Sequence, residues 1–245
     1  MARAPQPPPG RFHELSLATG DIRASVEFYE RLGFSQTATA DTYTHPYGVL
    51  TDGRIYLGLH QRRAASPTLT FVRPGVAASL AEFAALGIEL TLCRTGEEVF
   101  NEIGFDGPHG ESVRVIEART YSPAVRSRGE VSLCGDFAQL SLPAADFAAA
   151  RSFWEPLGFV ATDEAEAPYV HLPLTSDHLS LAFHRPRTFE APLLVFRAAD
   201  MRARIERLRS LGVAEEALPR GMPREANALL SSPEGTQLLL LVDSE

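Results

Sequence analysis

The stretch ELSLATGDIRASVEFYERLGF, Glu14 to Phe34, decides the architecture, because the chain contains it twice. Shifted by 125 residues it reads QLSLPAADFAAARSFWEPLGF, Gln139 to Phe159. Leu15, Ser16, Leu17, Asp21, Ala24, Phe28, Glu30, Leu32, Gly33 and Phe34 all recur identically. The correspondence runs on. Leu50-Thr51 with IYLGLH (Ile55 to His60) returns as Leu174-Thr175 with LSLAFH (Leu179 to His184). Arg73 returns as Arg197, Leu86-Gly87 as Leu211-Gly212, and the Pro108–Gly110 turn as Pro233–Gly235. A self-similarity that drifts by one residue over such a length reads as two copies of one domain.

Working outward, Phe12 to Thr19 alternates: Leu15 and Leu17 share one face, while Phe12, Glu14, Ser16 and Ala18 share the other, as in a half-buried strand. His13 falls with Leu15 and Leu17, under the coming helix. Asp21 is the expected N-cap, Ile22, Val26, Tyr29 and Leu32 form an apolar stripe, and Gly33 supplies the stop. Strands are expected over 34–39, 47–51 and 54–60, the last two joined at Asp52-Gly53. A second unit follows: a strand at 68–72, a helix carrying Val76, Leu80 and Phe83, and strands near 88–93, 99–103 and 112–117. The second half repeats the pattern, its first helix shortened by Pro156 and its second running from about Asp200 to Leu211. The expectation is an α+β chain of four βαβββ units in two domains. Residues 1–10 read as a disordered leader, 11–119 as the first domain, 120–131 as a linker and 132–245 as the second.

Composition narrows the function. A net charge of −8 argues against nucleic acid. Cys93 and Cys134 form no disulfide framework, and no apolar run is long enough to span a bilayer, so a cytoplasmic protein is expected. Gly-rich phosphate loops are absent, and the Gly104–Gly110 string reads as a turn.

The helix pattern D-[LIF]-x-x-[SA]-x-x-F-[YW]-x-x-L-G-F, set between a leading strand and three following ones, resembles the vicinal oxygen chelate superfamily. That group includes glyoxalase I, bleomycin-binding and fosfomycin-resistance proteins, extradiol dioxygenases and methylmalonyl-CoA epimerase. The resemblance implies two half-open barrels, each curled around a cup that in the family holds a divalent metal. The family's first-strand ligand, seven residues before the capping Asp, falls on Glu14 and Gln139. Its fifth-strand ligand falls near Thr68 and near Pro192, and its final Glu falls on Arg114 and Leu239. Arginine repels a dication and leucine is inert, so no cofactor is expected. A metal, if bound, would use Glu14 or Gln139 with His60 or His184.

By the same resemblance the ligand-lining faces of the cups hold Glu14, Thr68, Arg114, Gln139 and the apolar Leu239, and add Ser16 and Ser141, with Tyr56, His60, Ser180 and His184 from the fourth strands. His60 and His184 either line the cup or cap a strand at its rim. Glu14 has three readings: a general base, a partner for Arg114, or a remnant of a ligand. His45, His109, His171 and His178 sit near turns and read as solvated. The expected function is binding of a small organic molecule without a metal, in one or both cups. The alternative is a glyoxalase-like lyase, isomerase or epimerase with Glu14 as base; an extradiol dioxygenase lacks its two-His-one-carboxylate set. With the duplication supplying its own pseudo-two-fold, a monomer or weak homodimer is expected.

Overall fold

The computed structural model describes residues 7–39, 43–118 and 132–243. The expected linker lies outside them, as do residues 1–6 of the expected leader. Residues 7–10 are not a tail. Gly10 donates to the Pro7 carbonyl, and its positive φ of 87° lets the chain press against Val72 and Arg73, where a Cβ would lie 2.3 Å from the Val72 oxygen.

Two mixed sheets carry the fold. The first unit is β1 (Arg11–Ala18), α1 (Ile22–Arg31), β2 (Ser35–Thr37), β3 (Tyr47–Thr51) and β4 (Tyr56–His60). The second is β5 (Thr68–Arg73), a 3-10 turn running into α2 (Leu80–Ala85), β6 (Leu90–Arg94), β7 (Glu102–Asp106) and β8 (Ser112–Glu117). Asp21 caps α1 by accepting from the amides of Arg23 and Ala24, and Gly33 ends it at φ 88°. The strand expected at 99–103 begins later, since Val99 and Phe100 are exposed and outside the ladder.

The other sheet holds β9 (Asp136–Pro143), α3 (Phe147–Trp154), β10 (Val160–Ala161), β11 (His171–Thr175), β12 (Ser180–His184), β13 (Leu193–Ala198), α4 (Met201–Ser210), β14 (Ala228–Ser231) and β15 (Gln237–Val242). Its last unit has two strands after the helix instead of the expected three. The chain from 213 to 227 forms no strand; Pro219 and Pro223 lack the N–H a ladder needs.

Each sheet is built from neighbouring units, which settles the pairing left open by the sequence. The orders are β2-β3-β4-β1-β5-β8-β7-β6 and β10-β11-β12-β9-β13-β15-β14. In both, the first strands of the two units meet antiparallel, β1 with β5 and β9 with β13. In both, that seam carries a bulge. Phe12 opposes Phe71 and Glu14 opposes Thr70, leaving His13 as the extra residue; Phe137 opposes Phe196 and Gln139 opposes Val195, leaving Ala138. The bulge overturns one expectation. Phe12 turns into the core, 5.6 Å from the Phe71 ring, and His13 turns out to line the cup instead of packing under α1.

A single hydrophobic core runs through both halves, from Leu15, Phe34 and Phe105 to Trp154, Phe183 and Phe196. The helices fill the space between the sheets in a reciprocal way. On α1, Tyr29 Oη and Ser25 Oγ donate to Glu234 at 2.6 and 2.7 Å, in the turn before β15. His109 Nε2, in the matching turn before β8, donates to the Asp146 carbonyl at the start of α3, 2.8 Å away. Thus the repeated Pro-x-Gly turn of each domain ties down the first helix of the other.

Candidate functional site

The concave face of the first sheet is an open cup with two adjoining lobes. One, of about 160 Å³, is lined by Ser16, His60, Thr68, Thr70 and Arg114 among others. The second, of about 390 Å³, is lined by His13, Tyr43, His45, Tyr47, Arg94, Phe100, Glu102 and Arg114. Tyr43, Arg62 and Arg114 border both.

Strand register explains the arrangement. Glu14, Thr70 and Arg114 occupy one rung across β1, β5 and β8. The fifth-strand residue level with Glu14 is therefore Thr70; Thr68 pairs with Ser16, one step along. Glu14 and Arg114 do not form the salt bridge the sequence allowed. Arg114 Nε instead meets Glu102 at 3.1 Å, and Arg94 reaches the other Glu102 oxygen at 3.2 Å.

Glu14 is 2% exposed and fully engaged. Its Oε1 accepts from Ser16 Oγ at 2.8 Å and lies 3.2 Å from His60 Nε2, and its Oε2 accepts from Tyr47 Oη at 2.6 Å. Burial alone would raise the carboxyl pKa. The hydrogen bonds of His60 and Tyr47, the nearby His13 and Ser16 outweigh it and hold the group below its ordinary value. Gly58 makes room for it: a Cβ there would sit 2.2 Å from Oε1. On its other side, His60 Nδ1 lies 3.0 Å from His45 Nε2. His45, expected in solvent, is thus the outer member of a hydrogen-bonded line that ends on Glu14. Burial, Arg62 and His60 together push its pKa below the usual histidine value.

Of the other expected residues, Tyr56 stands at the far end of β4 and lines neither lobe. The second domain differs more. The rung matching Glu14–Thr70–Arg114 is Gln139–Val195–Leu239. Leu239 packs with Tyr169, Phe189, Leu193, Val195, Leu229 and Leu241 into a second apolar cluster that fills the concave face. Leu239, Ser141 and His184, expected to touch a ligand, are 0% exposed. His184 Nδ1 pairs with Ser141 Oγ at 2.8 Å and Nε2 donates to the Phe189 carbonyl at 3.1 Å. Gln139 and Ser180 remain half-buried on the flanks of this cluster. His171 is also interior, bonding the Tyr169 carbonyl, not solvated.

A catalytic metal normally needs three or more protein ligands. The rungs present do not fit one. Glu14 spends both oxygens on protein donors, Arg114 is a cation, and Val195 and Leu239 have nothing to give. Among the described residues, no group of three or more His, Cys, Asp or Glu side chains is placed to hold an ion. No described helix is long and apolar enough to cross a membrane.

Residues 11–105 match the family model of the Glyoxalase/Bleomycin resistance protein/Dioxygenase superfamily. With its sheet order, this places the first domain in that superfamily, and the vicinal oxygen chelate resemblance holds. Similar solved structures include the 2,3-dioxygenase LapB from Pseudomonas sp. KL28, 15% identical with a TM-score of 0.63, covering 96% of this chain and 92% of that one. Homoprotocatechuate 2,3-dioxygenase from Arthrobacter globiformis is also 15% identical, with a TM-score of 0.64 over 98% of this chain and 82% of that one. A catechol 2,3-dioxygenase aligns at 14% identity and a TM-score of 0.59, covering 96% and 88%. At such identities the likeness is one of fold. No curated protein sequence is a significant match.

Proposed function

We propose that the first-domain cup binds a small organic molecule carrying an anionic group beside an aromatic or apolar body. Arg62 carries this reading. It borders both lobes, and its Nε is buried without a hydrogen-bond partner among the described residues. A buried donor left unpaired is costly, and a guanidinium fork matches a carboxylate or phenolate in shape and charge. Tyr43, Tyr47 and Phe100 supply the wall for the body of the ligand, and the larger lobe is of the size small-molecule sites have. The second domain, its cup packed shut, serves as a buttress.

Calorimetric titration with aryl-substituted carboxylic acids and their uncharged amides tests this. The acids should bind and the amides should not, and Arg62→Ala should weaken the acids by about 1.5–3 kcal/mol, the worth of a hydrogen bond to a charged group. Equal binding of acid and amide would refute it.

The structural neighbours favour a second reading, cleavage of an aromatic diol in the manner their names describe. It requires a metal that the rungs described above do not fit. Metal analysis of protein purified with iron available, followed by a ring-opening assay on catechol, decides between the two. One bound iron per chain with turnover would replace the first reading.

A further inference from the structure

We propose that His45, His60 and Glu14 form a proton relay that makes the first cup a metal-free base site, acting on carbon acids with an aryl group and a carboxylate. This rests on the reading that the cup binds such anions, and adds what happens to them there.

The relay follows from hydrogen-bond bookkeeping. An ionised Glu14 only accepts, so His60 Nε2 must carry the hydrogen across the 3.2 Å contact. A neutral His60 then has its lone pair at Nδ1, and His45 Nε2 must donate across 3.0 Å. That tautomer leaves the lone pair of His45 on Nδ1, in the residue that lines the 390 Å³ lobe. The rings are held in place by Tyr43, 5.1 Å from both imidazoles, and by Tyr47, 4.5 Å from His60. Ser16 and Thr70, their hydroxyls 2.7 Å apart, anchor Glu14 from the other lobe.

The step balances. His45 Nδ1 takes the proton from the carbon next to the carbonyl of a bound 2-oxo acid. The C–H pair becomes the carbon–carbon double bond of the enolate, and the carbonyl π pair moves to oxygen, in a lobe walled by Arg62, Arg94 and Arg114. The Nε2 proton of His45 passes to His60 Nδ1, and the resulting imidazolium stands against the Glu14 carboxylate. Reversal returns a proton to the carbon. His45 is the catalytic residue; His60 and Glu14 position it and store the charge.

The test uses 2-oxo-4-phenylbutyrate, whose C3 hydrogens report abstraction by exchange with deuterated solvent, followed by proton NMR. Binding of the same compound is measured by calorimetry. We expect exchange above the solvent background, falling about 10²–10⁴-fold in His45→Gln and in Glu14→Gln while binding persists. Gln139 fills the Glu14 position in the second domain, so Glu14→Gln suits the fold. Binding without exchange overturns the relay and spares the anion reading; no binding overturns that reading. Histidine ¹⁵N shifts judge the relay in either case. His45 should be protonated at Nε2 and bare at Nδ1, a state that Glu14→Gln should disturb. The opposite tautomer in the unmodified protein overturns the proposal.

Discussion

Gly58→Ala is the most informative single change. The backbone at Gly58 has an ordinary φ, so alanine meets no conformational barrier, and losing a strand glycine should itself stabilise by about 0.5–1 kcal/mol. The three atoms nearest the new methyl are Glu14 Oε1, Cδ and Oε2 at 2.2, 2.3 and 2.4 Å, so the carboxylate must leave. It would lose its bonds to His60, Tyr47 and Ser16. Stranding a buried charge in this way costs about 3–5 kcal/mol. The net is about 2–4 kcal/mol, a drop in melting temperature on the order of 10 °C for a chain of this size. A double-mutant cycle by urea denaturation isolates the cause. In a Glu14→Ala background the methyl has space, and Gly58→Ala should become neutral or stabilising. If it costs the same there, the crowding of Glu14 is not what makes this position glycine.

Three further outcomes follow from the second domain and the interface. Leu239→Ala should cost about 2–5 kcal/mol in urea unfolding, because it opens a hole in a packed cluster; a loss below about 1 kcal/mol would mean the cup is not filled. Burial holds the His184 imidazole at about 4 against an ordinary 6.5, so the unfolded chain takes up that proton first. Stability is full above the unfolded value and falls by about 3 kcal/mol as the pH drops towards the folded one. His171, lowered in the same direction, adds to this, and His184→Gln should flatten the acid side of a denaturation-versus-pH curve. Glu234→Ala should cost about 1–3 kcal/mol in thermal unfolding by leaving the Tyr29 hydroxyl, 0% exposed, without its acceptor. Adding Tyr29→Phe should recover most of that, and no recovery would remove the hydrogen bond from the account.

Strands and helices were legible because alternation and repetition agree: where Leu15, Leu17 and Asp21 return as Leu140, Leu142 and Asp146, chance is a poor explanation. Glu14 and His60 were legible for a different reason, being polar groups on strands that must face inward. His45 was not. It sits beside Pro46 in what reads as a turn, and only the β3–β4 register, which sets Tyr47 opposite His60, brings the two imidazoles together. A sign was present in the spacing of Tyr43, His45 and Tyr47, three rings at every second position. The bulge at His13 leaves no mark in composition, so alternation carried Phe12 to the wrong face. Leu239 shows a deeper limit. An apolar side chain on a concave strand can face a ligand or another apolar wall, and its own identity does not say which.

The crossed ties between turns and helices have a consequence for how the protein can be divided. Glu234 holds α1 and His109 holds the start of α3, while Phe34 rests 6.1 Å from Phe196 and Phe105 6.2 Å from Phe153. Severing the halves would expose both sides of this seam at once. The half with the open cup is therefore not a portable module, and the half without one is not dispensable. Expressed alone, each should behave as an aggregation-prone fragment; mixed, the two should recover a soluble one-to-one complex. An open cup and a filled one share a single chain in which each half supplies interior to the other.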